Sequence, residues 1–439
     1  MKKINRGEKL LRRAKKIIPG GNQLLSKRSE RFLPVLWPSY YSKAKGCSVW
    51  DTENNKYFDF AGMGVTSCVL GYSDDDVNKG ILNAIKKGSM STLNCTEEID
   101  LAKKLIEIHP WSEMVRFARS GGEACTVAIR IARAYSKKKL ILFCGYHGWH
   151  DWYLSSNLSN KNNLDGQLLP GLNSDGIPKG LYKTAIPFNY NDTQSFLKVF
   201  EKNKNKIAAV IMEPQRSEKP DINFLKLIRQ KTKKNNVPLI FDEITSAFHD
   251  NYGGIHLKLK VFPDIAVFSK ALGNGTPIAA VIGKRKIMDC AQDTFISSTM
   301  WTERIGFIAA LETLKKMKSK KVQNKIVKKG LYIKQKIFNI SKKLDLKIDI
   351  KGMDSMPSFS FNYKNQNELY TFFTQEMLSL GFLATNSMTL SYAHDKKIIN
   401  NYLNKLEKTF KKIKILIDSK SKIPLRNAQR QTNFTRLVK

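Results

Sequence analysis

The 439-residue sequence has no apolar run near the roughly 20 residues that a helix needs to cross a bilayer. Its first 21 residues, MKKINRGEKLLRRAKKIIPGG, are basic but lack the continuous apolar core of a secretory signal. These two absences lead us to expect a cytoplasmic protein with no membrane attachment. Cysteine is scarce, and the six (47, 68, 95, 125, 144, 290) include no CxxC pair and no histidine partner at metal-ligand spacing. Several lie in apolar stretches, as Cys144 does in Leu140–Cys144, so we expect buried free thiols and no metal site. Acidic residues are also few, 38 against 75 Lys plus Arg, which gives a formal charge of +37.

That charge invites a polyanion as partner, but its distribution argues against nucleic acid as the main one. The lysines concentrate in 314–351 and 403–439, interleaved with Ile, Leu and Val at helical spacing, as on the solvated faces of amphipathic helices. Lysine also outnumbers arginine, and Asn and Ile are frequent, so compositional drift explains much of the excess. A positive potential that draws in an anionic small substrate fits better.

What is present is the composition of a globular chain, 42% hydrophobic and 10% aromatic, long enough for a large domain plus a smaller one. Leu10, Leu11, Ala14, Ile17 and Ile18 recur at helical spacing until Pro19, Gly20 and Gly21 end the pattern. This predicts a short amphipathic helix that packs on the body or on a partner subunit. VWD (49–51) and YFDF (57–60) flank a turn and read as a hairpin, and acidic residues open a helix over about 74–87. Residues 149–190 are polar, with little periodicity, and read as a long functional loop in which Trp149, His150 and Trp152 are candidate substrate contacts. A long basic helix from about Leu311 leads to strand-like DLKIDI (345–350) and SFSFNY (358–363), and Lys420 onward reads as a flexible basic tail.

The chemistry concentrates in three apolar runs. Residues 208–212 lead into Glu213, 237–241 into Asp242, and 265–268 into Ser269 and Lys270. The charged residues are 29 and 28 positions apart, a spacing that suits βαβ units whose parallel strands end on one edge of a sheet. A lysine after a buried strand is by itself a weak signal in so basic a chain. Together with a buried carboxylate it meets the needs of an aldehyde cofactor that has a pyridine nitrogen: an amine to form a Schiff base, and a charge to keep the ring protonated. A fourth strand, 114–118, runs through Ser120, Gly121 and Gly122 into a helix, a turn that offers free N–H groups and the helix dipole to an anion.

SGGEA (120–124), YHG (146–148), EP (213–214), FDE (241–243), SKALGNG (269–275) and SSTMWTERIG (297–306) occur in the order of the class III aminotransferases, which use pyridoxal 5'-phosphate. The chain resembles that family from about Pro19 to His394. IPGG (18–21), AKG (44–46) and WD (50–51) resemble its glutamate-1-semialdehyde aminomutase branch. The resemblance implies the aspartate aminotransferase-like α/β architecture of fold type I, with a large mostly parallel-sheet domain and a smaller α/β domain. We place an N-terminal segment packing with the small domain at 1–60, the large domain at 61–310, the small one at 311–419 and the tail at 420–439.

The same resemblance implies Lys270 as the Schiff-base lysine and Asp242 as the partner of the ring nitrogen. It places Ser120, Gly121 and Gly122 at the cofactor phosphate, and Tyr146 and Ile244 on the two faces of the ring. His147 and Glu213 lie close by, and Thr299 reaches the phosphate of the neighbouring subunit, which implies a homodimer with a shared site. Where the family usually has threonine this chain has Gly122, one hydroxyl donor fewer. The activity implied is amino transfer between an amine donor and a carbonyl acceptor, with an intramolecular aminomutase as the close alternative. A non-catalytic polyanion-binding protein on the same fold is the alternative of another class, and the intact Lys270, Asp242 and Tyr146 weigh against it.

Overall fold

The apolar runs become one seven-stranded sheet in the computed structural model, which describes residues 6–167, 170–215 and 217–432. Its strands are β1 (Met114–Ala118), β2 (Leu140–Cys144), β3 (Ala185–Pro187), β4 (Ile207–Met212), β5 (Leu239–Asp242), β6 (Ile265–Phe268) and β7 (Ala279–Gly283). Their spatial order is β1-β7-β6-β5-β4-β2-β3. From β6 across to β3 every pairing is parallel, while β7 is antiparallel to both its neighbours.

Runs such as LILFC and IAAVIM are apolar throughout because both faces of the sheet are covered. Ile141 and Phe143 pack with Ala124, Ala128 and Ala132 of the helix Gly121–Ser136. Leu140, Leu142 and Cys144 face the other way, toward Phe196, Phe200, Leu225 and Ile228 of the helices Thr193–Asn203 and Ile222–Lys234. Parallel pairing then puts the ends of β4, β5 and β6 on one edge, with Glu213, Asp242 and Lys270 just past or at them. Strand β1 ends on the same edge, since two antiparallel steps through β7 restore its direction: Ala279 pairs with Ala118, and Ala280 with Phe268.

The chain divides into two units, Asp75–Gln323, which holds this sheet, and a second made of the residues on either side of it. In the second unit Ser48–Asp51 and Lys56–Asp59 form the expected hairpin, flanked by Tyr41–Lys45 on one side and Phe382–Leu383 on the other. Ile348–Gly352 pairs antiparallel with Pro357–Phe361. The helix Lys396–Asp418 buries Ile399, Tyr402, Leu403, Leu406, Phe410 and Ile413, the i, i+3, i+4 stripe that leaves its lysines to solvent. The helix Arg6–Ile17 buries Ala14 but leaves Leu10 and Ile17 exposed. Among the described residues no helix is long and apolar enough to cross a membrane.

Three expectations need correction. The described residues of 149–190 are more ordered than their composition implies, holding the short helices Asp151–Leu154 and Ser156–Ser159 and the edge strand β3. The single basic helix is two, Arg304–Lys320 and Val322–Lys343, because Lys321 takes a left-handed φ of 50° and caps the first. Residues 421–432 form no helix or strand, yet Arg430 donates to Asn367 and Asn386 and lies 4.2 Å over the Tyr370 ring, so this part of the tail is anchored. The rest of the expected tail, 433–439, lies outside the described residues.

Phe60 is fully buried, stacked on Tyr402 at 4.1 Å and edge-on to His394. Phe60→Ala should lower unfolding stability by about 3–5 kcal/mol, the cost of losing a buried aromatic and leaving a cavity. Chemical denaturation checks this, and a loss below about 1 kcal/mol would mean that the surrounding side chains collapse into the space.

Candidate active site

Asp242, the last residue of β5, is 2% exposed and is the centre of the site. Its Oδ2 lies 2.7 Å from His147 Nδ1 and accepts from the Cys125 thiol at 3.4 Å, while Oδ1 accepts from the Ile244 N–H at 3.0 Å. A carboxylate only accepts, so the contact puts the His147 proton on Nδ1. His147 Nε2 is buried and has no partner among the described residues. The donor atoms of Cys125, His147 and Asp242 lie within 4.8 Å of one another, as metal ligands could. The 2.7 Å His–Asp separation is that of a direct hydrogen bond, with the His147 proton between those two atoms.

Lys270 follows β6 with a left-handed φ of 46°, unusual for a residue with a Cβ. That turn of the backbone aims its amine into the edge of the sheet. Nζ donates to Thr245 Oγ1 at 2.8 Å, and no ion pair joins it to a carboxylate among the described residues. Burial pulls its pKa below the usual lysine value, with the charges of Glu213 and Asp242 opposing at longer range. Glu213, just past β4, accepts from the Tyr146 N–H at 3.0 Å. Gly145 makes room for it: its φ is +117°, and a Cβ there would lie 2.4 Å from Glu213 Oε2. Tyr146 itself keeps 41% of its surface exposed.

Ser120 caps the helix Gly121–Ser136 in a reciprocal box with Glu123. Glu123 Oε2 accepts from both the N–H and the hydroxyl of Ser120, at 2.8 and 3.0 Å. The N–H groups of Gly121 and Gly122 lie ahead of the intrahelical ladder and remain for an anion. Ile244 presses on this turn, since a Cβ on Gly121 would meet its Cδ1 at 2.7 Å. Thr299 opens a 3₁₀ turn, Thr299–Thr302, on the surface, where its carbonyl accepts from the Thr302 hydroxyl. Its side chain makes no hydrogen bond among the described residues.

The structure therefore joins Asp242 to His147 and Ile244, Ile244 to Gly121, and Glu213 to Tyr146, and leaves Thr299 apart. Sequence reasoning missed Thr245, Cys125, Glu123 and Arg119. Arg119 Nε donates to Met300 O at 2.6 Å and its Nη2 to Trp301 O and Glu303 O, so it ties the 299–303 segment to the end of β1. Trp152 is corrected from substrate contact to core residue: it is 5% exposed and donates to Thr126 Oγ1.

This donor set suits pyridoxal phosphate. It offers a partly buried amine whose only hydrogen-bond partner among the described residues is a hydroxyl, a buried carboxylate steered by three donors, and a helix N-terminus with two leading glycines.

The comparisons agree. Residues 34–410 match the aminotransferase class-III family. The chain is 31% identical over 376 residues to a 3-aminobutyryl-CoA aminotransferase of Cloacimonas acidaminovorans, covering 84% of this chain and 86% of that protein. It is 33% identical over 432 residues to a glutamate-1-semialdehyde 2,1-aminomutase of Wigglesworthia glossinidia brevipalpis, covering 92% and 98%. Among solved structures, the FumI protein of Sphingopyxis sp. MTA144 superposes with a TM-score of 0.84 at 23% identity, over 94% of this chain and 98% of that one. An omega-transaminase of Sphaerobacter thermophilus gives 0.81 at 21%, over 92% and 97%. The chain belongs to the class-III aminotransferases, enzymes that use pyridoxal phosphate to transfer amino groups.

Proposed function

We propose that the enzyme moves an amino group from a small amine donor to a carbonyl acceptor, with Lys270 as covalent anchor and proton carrier and Asp242 as partner of the cofactor ring nitrogen. The observation that carries this reading is the partly buried Lys270 amine at the sheet edge, held by the Thr245 hydroxyl, with a pKa that desolvation lowers. When bound, the cofactor supplies an aldehyde that condenses with amines and a ring that takes up the electrons released at the substrate carbon.

The protein's own part follows from its side chains. Lowering the lysine pKa leaves more of the amine unprotonated near neutral pH, so Lys270 can accept a proton and return it. Thr245 can accept from an ammonium or donate to a neutral amine, and so holds Nζ in place through both states. His147, Cys125 and the Ile244 N–H fix the Asp242 carboxylate, and its negative charge favours a positive charge beside it. We assign Tyr146 and Ile244 to the two faces of the ring, Gly121 and Gly122 to the phosphate, and Ser120 to shaping that turn through Glu123. Glu213 fixes Tyr146 and moderates the lysine.

We further infer a cytoplasmic homodimer in which Thr299 completes the partner's phosphate site. Supporting this, Thr299 is followed by Met300, which is 59% exposed, and Met90, which the Thr302 hydroxyl touches, is 42% exposed. The likeness to an aminomutase over nearly its whole length supports a second reading, an intramolecular amino shift.

Mixing cofactor-loaded protein with amine donors, without acceptor, tests both readings. Transamination releases a carbonyl product in one turnover, whereas an aminomutase returns the amino group to the same carbon skeleton. No spectral change with any amine would contradict both. Asp242→Asn should slow that single turnover more than tenfold, a barrier increase of at least about 1.4 kcal/mol, while the cofactor stays bound. Rates within tenfold of the parent would remove Asp242 from its assigned role. For the dimer, subunits of inactive Lys270→Ala and Thr299→Asp are exchanged. One site of the heterodimer then combines both intact residues, and partial activity should return. Confirmed heterodimers without activity would contradict a shared site.

A further inference from the structure

The position at which this chain differs from its family is Gly122, and the structure shows what stands there. A Cβ on Gly122 would lie 3.0 Å from Cε1 and 3.1 Å from Nδ1 of His150. A threonine at 122 and this imidazole therefore compete for one space. His150 Nδ1 is shut off from solvent and has no hydrogen-bond partner among the described residues. A buried nitrogen left in that state is costly unless a ligand pairs with it.

We propose that His150 is a cofactor-phosphate ligand, its Nδ1–H taking the place of the threonine hydroxyl that Gly122 lacks. The inference rests on reading the turn at 120–122 as the phosphate site. Several features build the arrangement. Gly148, at φ +105°, passes so close that its Cβ would meet Gly122 Cα at 2.9 Å, and this brings the next residues over the turn. The His150 carbonyl accepts from the N–H groups of Tyr153 and Leu154 at 2.9 and 3.2 Å, which fixes its backbone. The ring stacks on Trp149 at 4.5 Å with 21° between the planes, which fixes its orientation. Burial lowers the His150 pKa against the opposing charges of Glu123 and Asp151, and the neutral ring that burial favours still carries one N–H to donate. A donor has thus moved from the helix to the loop that follows β2. The ring also crowds any side chain at 122, so exchanging both residues at once should restore the family's arrangement.

The test measures dissociation constants of the apoprotein for pyridoxal phosphate and for pyridoxal, which has the same ring and aldehyde but no phosphate. His150→Phe keeps a ring on Trp149 and removes the nitrogen. It should weaken pyridoxal phosphate by about ten- to a hundredfold, the range for one charge-assisted hydrogen bond, and leave pyridoxal unchanged. His150→Asn, which keeps an amide N–H close to Nδ1, should retain most of the affinity. The double variant His150→Ala, Gly122→Thr should recover what His150→Ala loses. Equal weakening of both compounds, no weakening, or no recovery in the double variant would each overturn the proposal and make His150 a space-filling residue. If the parent protein binds the two compounds equally, the reading of the turn as a phosphate site fails, and the proposal with it.

Discussion

Burying an amine at the edge of a parallel sheet is the constraint on which the rest of this structure depends. A lysine placed in low dielectric tends to lose its proton, and that loss makes it useful as a nucleophile and base. The fold must still hold it within reach of carboxylates without letting it collapse into an ion pair. Lys270 meets both conditions through a left-handed backbone turn and a hydroxyl partner. Glu213 and Asp242 act on it at longer range, each occupied with other donors. Stiffness comes from the sheet: β4, β5 and β6 are buried on both faces, so the three charged residues cannot drift independently.

Around that edge the same need is met by exchangeable parts. Helix N-termini bind anions through backbone N–H groups, which leaves side chains near them free to vary. Here Ser120 is turned toward Glu123, Gly122 carries no hydroxyl, and the imidazole of His150 fills the space. Arg119 spends its guanidinium on backbone carbonyls of 300, 301 and 303, linking the turn to the segment that contains Thr299. Glycine at 306 is needed for that link, since a Cβ there would lie 2.1 Å from Arg119 Nη1.

How much of this the sequence reveals depends on whether a residue acts through a pattern or through one contact. Strands β4, β5 and β6 are legible because doubly covered strands are apolar throughout and their βαβ spacing is regular. The turn at Ser120 is legible as an anion site because serine and two glycines lead from a strand into a helix, whereas its capping partner Glu123 is not. Strand β3 is three residues long and leaves no period to detect, and Lys321 breaks a helix by one backbone angle that lysine only occasionally adopts. Thr245 follows Ile244 directly but belongs to no motif that names a lysine, and Trp152 reads as a substrate contact only because its neighbours are polar. Their roles arise from what lies opposite them across the fold, which a single sequence does not encode locally.

The central claim, that Lys270 is the covalent anchor, is tested most directly by trapping. Cofactor-loaded protein is treated with borohydride, digested and mapped by mass spectrometry. The account predicts the phosphopyridoxyl adduct on the peptide containing Lys270, in stoichiometric amount, and its absence after an amine donor has displaced the lysine before reduction. A stoichiometric adduct on any other lysine would contradict it.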